Sequence, residues 1–201
     1  MSQHVLVTGA TGRIGRVLVP ALRQRSMRVY ALAREASRHV ALPTAVPLDC
    51  DITDSEAMHE TLRHIAVDTV VHLESVTDAS HDDPDEALRI NVLGTYGLLE
   101  WAAASGVSRF IFTPTRITND ITHHDRITDI SMRMAERSCD LAASESMHVR
   151  CLRLTDPFDV DDAVDAIRHA IEASPRQYDD AFEITDESAA TMAFREVDVC
   201  S

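Results

Sequence analysis

His4-Val5-Leu6-Val7-Thr8-Gly9-Ala10-Thr11-Gly12-Arg13-Ile14-Gly15 is the stretch on which the reading of this chain turns. A short apolar run meets a turn punctuated by glycine, and a helical pattern begins at once. That strand–turn–helix context is what a dinucleotide-binding loop requires. Gly9 permits the tight turn, and Gly12 lets the backbone approach a pyrophosphate resting on the helix N-terminus. Gly15 allows helix and strand to pack closely. Thr11, Arg13 and Ile14 complete the candidate cofactor-binding loop.

Outward from this turn, strand and helix patterns alternate along the chain. Strands are expected at Val5–Thr8, Val29–Leu32, Ala45–Leu48, Thr69–Leu73, Arg109–Thr113, His148–Leu154 and Ala181–Ile184. Helices are expected at Ile14–Gln24, from Pro84 to about Ala104 with Gly106 as terminator, at Ile130–Ser144 and at Val160–Ala173. Pro20 falls inside the first helix, where a kink is expected. Alternation of this kind predicts an α/β fold, a doubly wound parallel sheet in a single domain.

Bulk properties narrow the class. A chain of 201 residues suits one domain with a proper core. No apolar run approaches the ~20 residues of a bilayer crossing, and no signal peptide precedes the first strand, so a cytoplasmic protein is expected. Cys50, Cys139, Cys151 and Cys200 lack metal-site or CxxC spacing, which suits reduced thiols. Asp and Glu total 33 against 19 basic residues, all arginine, for a net charge of −14. Such a surface repels nucleic acid and anionic lipid, so neither is expected as a partner. Aspartates outnumber glutamates 21 to 12 and lysine is absent. A high-salt cytoplasm and the codon bias of a GC-rich genome both account for that pattern.

The end of the second strand bears on which dinucleotide is bound. An acidic residue there bonds the ribose 2′-hydroxyl of NAD, whereas arginine suits the 2′-phosphate of NADP. Arg34 follows Leu32-Ala33, with Arg38 a turn later, and guanidinium groups bind phosphate bidentately. NADP is therefore expected ahead of NAD, although Glu35 is placed to accept from a hydroxyl instead.

Five segments, in order, make the chain resemble an extended short-chain dehydrogenase/reductase of the NAD-dependent epimerase/dehydratase family. The Gly9–Gly15 turn matches the family fingerprint. Asp49-Cys50-Asp51-Ile52-Thr53-Asp54 resembles the stretch whose Asp, here Asp51, contacts the adenine, with Ile52 beside the ring. Val70-Val71-His72-Leu73 resembles the fourth-strand motif beneath the cofactor. Asn91-Val92-Leu93-Gly94-Thr95 with Leu98-Leu99-Glu100 is similar to the central helix, where the Asn is structural. Gly106-Val107-Ser108-Arg109-Phe110-Ile111-Phe112 resembles the approach to the active-site strand. The resemblance implies a Rossmann fold, with residues 1–156 as the NAD(P)-binding domain. Residues 157–201 would form a reduced C-terminal segment packed on it. Candidate cofactor contacts thereby extend to Arg34, Asp51, Ile52, Leu73, Glu74 and Asn91. The helices at 84–104 and 129–146 are those the family uses to form homodimers.

The departures lie where the chemistry should be. Family enzymes use a Tyr and a Lys four residues apart, and those positions align with Thr128 and Met132. The only tyrosines are Tyr30, Tyr96 and Tyr178. The family lysine lowers the tyrosine pKa from about 10 toward neutrality, so that the phenolate can exchange a proton. A threonine hydroxyl is far too weak an acid, and a thioether offers no donor. Losing acid–base help costs roughly 10²–10⁴ in rate.

Several residues are possible substitutes. Thr115, in Thr113-Pro114-Thr115, stands in the family's serine-rich triplet and offers a hydroxyl. His124, with His123 and Asp125, lies in the loop after the fifth strand, and a histidine titrates near neutrality. Metal ligation by that trio is disfavoured, because adjacent ligands diverge and a fourth is not evident. Thr128 also suits an N-cap, with Asp129 in the first turn. Glu74-Ser75 replaces the small pair that lies against the family's cofactor. Leu152-Arg153-Leu154-Thr155-Asp156-Pro157 leads almost directly into the 159–164 helix, where relatives insert a substrate region. Two classes follow: a degenerate NADP-dependent oxidoreductase acting on a small acceptor, or a non-catalytic dinucleotide-binding sensor or scaffold.

Overall fold

The computed structural model describes residues 3–34, 42, 45–76, 84–114, 126–154, 158–173 and 182–184. Seven strands form one parallel sheet in the order β3-β2-β1-β4-β5-β6-β7. They are β1 (His4–Thr8), β2 (Arg28–Ala33), β3 (Val46–Asp49), β4 (Thr69–His72), β5 (Arg109–Phe112), β6 (His148–Leu154) and β7 (Phe182–Ile184). Order reverses at β1, so β2 and β4 flank the strand that carries the glycine turn. That is the switch point of a doubly wound sheet, where ligands bind outside the carboxyl ends of the strands.

Alternation within strands divides the core in two. Leu6, Tyr30, Leu32, Phe110 and Phe112 face one side, covered by α2 (Ser55–Leu62), α4 (Thr95–Ala104) and α5 (Arg126–Ala142). Val5, Val7, Val29, Ala31, Val71 and Ile111 face the other, covered by α1 (Gly15–Gln24) and α6 (Val160–Glu172). A sheet covered on both faces needs the near-continuous apolar strands that this sequence has.

α1 runs unbroken through Pro20 and presents Leu18, Val19 and Leu22 to the core. It ends on Ser26 in the left-handed region, φ 61°, a place more often held by glycine. Gly106, φ 75°, ends α4 as expected, and the Val107 N–H donates to the Ala102 carbonyl at 3.0 Å.

Three differences from the sequence reading have local causes. α2, which that reading omits, is capped by Asp54, whose carboxylate accepts from the Ala57 N–H at 2.9 Å. The helix expected over 84–104 is composite: α3 (Pro84–Ala87), a π-helical segment Leu88–Gly94, then α4. α5 starts at Arg126, so Thr128 is its third residue and not its N-cap. A residue already inside the helix lacks the extended backbone that capping requires. Asp129 does fall in the first turn.

The C-terminal elements join the same sheet. α6 lies against α1, β7 pairs with β6, and Arg109 donates to the Ala173 carbonyl at 2.9 Å. Cys50, Cys139 and Cys151 are free thiols buried in the interior, and Cys200 lies outside the described residues. Among the described residues, no helix is long and apolar enough to cross a membrane.

His72 ends β4 with no exposed surface. Its Nδ1 lies 2.6 Å from Thr8 Oγ1 and its Nε2 2.8 Å from Thr95 Oγ1, while its ring stacks on Phe112. Burial lowers its pKa from 6.5 to about 3. The folded protein thus keeps the ring neutral, and unfolding takes up a proton at any pH between those values. The stabilisation is complete above pH 6.5 and declines as pH falls toward 3. At about pH 5 the loss should reach about 2 kcal/mol. Melting temperatures across that range should fall more steeply for wild type than for His72→Gln, which is less stable at neutral pH but has no imidazole to titrate.

Candidate dinucleotide site

The glycine turn is fixed by contacts of the chain with itself at two of its three glycines. Gly9 has φ 62°, and a Cβ there would lie 2.7 Å from the Glu74 nitrogen. A Cβ on Gly15 would lie 2.5 Å from the Ala10 carbonyl oxygen. Gly12 differs. Its N–H donates to the Gly9 carbonyl at 2.9 Å, and an added Cβ would meet only that oxygen, at 3.1 Å. The space beyond the exposed Gly12 is open, as close approach by a ligand requires.

The start of α1 carries no side-chain cap and no acidic residue in its first turn. Its positive dipole end suits an anionic group, and the Arg16 and Val17 N–H groups are themselves bonded to the Gly12 and Ile14 carbonyls at 3.1 and 3.0 Å. Ile14 is buried, and the Thr11 carbonyl accepts from Arg16 Nε at 2.6 Å. Arg13 turns its guanidinium elsewhere: Nη2 donates to the Phe158 carbonyl at 3.1 Å and the group lies 4.7 Å above the Phe158 ring. These contacts tie the turn to the segment before α6.

Beneath the turn, the Leu73 N–H donates to the Thr8 carbonyl and the Glu74 N–H to Thr8 Oγ1, both at 3.3 Å. The Glu74 carboxylate is half-buried and faces the Gly9 N–H, with Arg34 and Asp51 in electrostatic reach. Burial raises its pKa most, the Arg34 charge opposes that rise, Asp51 adds to it, and the Gly9 N–H lowers it. Arg34 Nη1 lies 3.8 Å from Glu86 Oε1. Asp51 Oδ1 accepts from the Thr53 N–H at 2.9 Å and its hydroxyl at 2.8 Å. Ile52 is buried, its Cδ1 2.7 Å from where a Cβ on Gly94 would stand. It thus joins the cradle to the π-helical segment.

The residues aligned with the family's proton relay lie deep in the fold. Met132 is fully buried, in the same apolar cluster as Phe112 and Cys139. Thr128 is buried, and its Oγ1 has no hydrogen-bond partner among the described residues. The Asn91 amide is fully engaged: Oδ1 accepts from the Val76 N–H at 2.8 Å, and Nδ2 donates to the Val76 carbonyl at 3.0 Å and Ser131 Oγ at 2.9 Å. Ser131 Oγ in turn donates to the Thr128 carbonyl at 2.8 Å. The sequence reading missed Ser131, since nothing local relates it to Asn91. Thr115, His123, His124 and Asp125 lie outside the described residues, as do Glu35 and Arg38. Among the described residues, no group of three or more His, Cys, Asp or Glu side chains is placed to hold a metal ion.

A model of the NAD dependent epimerase/dehydratase family matches residues 5–158. A 3-diazoavenalumate denitrifying reductase from a Streptomyces species is 40% identical over 112 residues, covering 54% of this chain and 36% of the reductase. The chain thus spans about a third of that relative's length. A short chain dehydrogenase from Burkholderia cenocepacia, solved in complex with NADP, superposes with a TM-score of 0.77 at 19% identity, covering 94% of this chain and 90% of that one. The Bordetella bronchiseptica enzyme WbmG, solved with NAD, gives 0.65 at 22% identity, covering 77% and 53%. At these identities the two structures speak for the fold.

The glycine contacts yield a graded expectation. Gly15→Ala should cost about 3 kcal/mol or prevent folding, because its neighbour is backbone. Gly12→Ala should stay within about 1 kcal/mol of wild type. Thermal denaturation followed by circular dichroism checks both.

Proposed function

The chain belongs to the NAD dependent epimerase/dehydratase family, and from that premise we propose that its Gly9–Gly15 turn holds a pyridine dinucleotide, NADP or NAD. The observation that carries this reading is the turn itself: a tight helix start with no side-chain cap and with open space at Gly12. Gly12 and the start of α1 would take the pyrophosphate, with Thr11, Arg13, Ile14 and Leu73 contributing around it. Arg34 is the candidate for a 2′-phosphate, Asp51 and Ile52 flank the adenine end, and Asn91 acts through the Val76 backbone that it clamps. Relatives of this fold solved with NADP or NAD support the same occupant.

When bound, the reduced dinucleotide supplies a hydride. The accompanying proton would have to come from water or from the 115–125 segment with Thr115 and His124, because the Tyr–Lys relay is absent. We therefore read the protein as a degenerate oxidoreductase for a small, easily reduced acceptor, whose main contribution is positioning. A non-catalytic sensor or scaffold is the second reading. It is favoured by the saturated Asn91 amide and by Met132, packed where the relay would run. We read residues 157–201 as a reduced C-terminal segment on the same domain.

Calorimetry separates these claims. Wild type should bind NADP⁺ or NAD⁺, whereas Gly12→Ala should lose at least about tenfold in affinity while keeping its fold. Oxidation of NADPH in the presence of quinone, flavin or carbonyl acceptors supports the oxidoreductase; binding without turnover supports the sensor. Absence of binding to either nucleotide overturns both.

We further propose a homodimer through α4 and α5. Leu93 near the end of the π-helical segment, Tyr96 on α4, and Ile130, Met134 and Leu141 on α5 are exposed large apolar residues, interspersed with Glu100, Arg133 and Arg137. A two-fold axis through this face would let opposite charges meet across it. Light scattering should give a dimer for wild type and a monomer for Leu93→Glu/Met134→Glu, with unchanged circular dichroism.

A further inference from the structure

We infer that Glu74 decides which dinucleotide the cradle prefers, by opposing the 2′-phosphate that Arg34 would otherwise attract. The inference rests on the dinucleotide reading above and adds a residue that selects between its two candidates. Glu74 stands at the carboxyl end of β4 and Arg34 at that of β2, on opposite sides of β1. The Glu74 nitrogen abuts Gly9 at the end of β1, and its carboxylate is within electrostatic reach of Arg34. Arg34 in turn extends toward α3, its Nη1 3.8 Å from Glu86 Oε1.

The backbone leaves Glu74 little freedom to withdraw. Its N–H is held by Thr8 Oγ1, and its nitrogen abuts Gly9 too closely for any side chain at that position. Two residues on, Val76 is clamped through both backbone groups by Asn91. The side chain therefore starts from a fixed point beside the turn.

Glu86 lies 3.8 Å from Arg34, Glu74 is within electrostatic reach of the same guanidinium, and Asp51 is within reach of Glu74. Glu74 comes from β4, Asp51 from the turn after β3, and Glu86 from α3. A ribose 2′-hydroxyl can donate to an ionised Glu74, a favourable charge-assisted bond. A 2′-phosphate brings about two further negative charges and no donor, so it meets Glu74 as a like charge while competing with it for Arg34. Arg34 alone reads as an NADP signature; Arg34 with Glu74 favours a free 2′-hydroxyl. The pyrophosphate is common to both nucleotides, so its repulsion by Glu74 cancels in the comparison.

The test measures dissociation constants of NAD⁺ and NADP⁺ for wild type, Glu74→Gln, Arg34→Ala and the double variant. Each protein's fold is verified by thermal melting. Wild type should prefer NAD⁺, and Glu74→Gln should shift the ratio of affinities toward NADP⁺ by about tenfold, the scale of one like-charge contact near a protein surface. That shift should be smaller in the Arg34→Ala background, where only the direct repulsion between Glu74 and the phosphate is left to relieve. Equal gains for both nucleotides, or an unchanged ratio in folded Glu74→Gln, would overturn the assignment of Glu74 while leaving the dinucleotide site intact. Absence of binding by all four proteins would remove the site and this role with it.

Discussion

A neutral imidazole holds the working end of this sheet together. His72 joins the Thr8 hydroxyl at the end of β1 to the Thr95 hydroxyl on α4, with Phe112 of β5 stacked against its ring. Thr8 Oγ1 also receives the Glu74 N–H, so the strand ends and the segment beyond β4 move as one piece. Gly9 then packs against Leu73 and Glu74 at distances only glycine permits. The shape of the cradle therefore depends on a buried polar group that is satisfied on both sides. Low local dielectric makes such a bridge strong when complete and costly when broken.

The sheet was legible in the sequence because its signals are local. Apolar runs such as Val5–Val7 and Phe110–Phe112 mark strands buried on both faces, and Gly9 and Gly106 mark turns that need left-handed backbone. α2 escaped notice because its short, polar sequence buries only Met58 and Leu62, a weak periodic signal. The start of α5 differs for a related reason: Thr128 looks like a cap, yet it is buried as the third residue of the helix, while Asp129 stands in the first turn as its sequence position suggests. The site was half legible. The cradle is contiguous in sequence, whereas Glu74, Arg34 and Asp51 follow β4, β2 and β3 and reach the same end of the sheet only because its strands are parallel, with β1 between the first two. The same holds for Asn91 and Ser131, which meet only once α5 packs on the π-helical segment.

The missing relay is more than a pair of changed letters. Met132 fills a fully buried position among Phe112, Ala135 and Cys139, so the core has closed around a thioether. An ammonium placed there would be desolvated, a penalty of several kcal/mol without a paired carboxylate. Ser131 has taken the Asn91 amide proton that a more open network would direct elsewhere. The interior of α5 is thus consistent with a helix that now serves packing, while the glycine turn keeps the geometry of a ligand site.

The π-helical stretch from Leu88 to Gly94 sets a constraint on how this protein can change. It accommodates one more residue than an α-helical path of the same span, and Asn91, Gly94 and Thr95 all take their positions from it. Deleting one residue there would let the wide turn close to ordinary α-helix over the same span, so the turns on either side would keep their facing and Thr95 its hold on the imidazole. The loss would be local, falling on the Asn91 amide and on the room that Gly94 leaves for Ile52. A residue removed from α4 itself would instead turn everything beyond it by about 100°, so shortening is borne by the wide turn and refused by the regular helix.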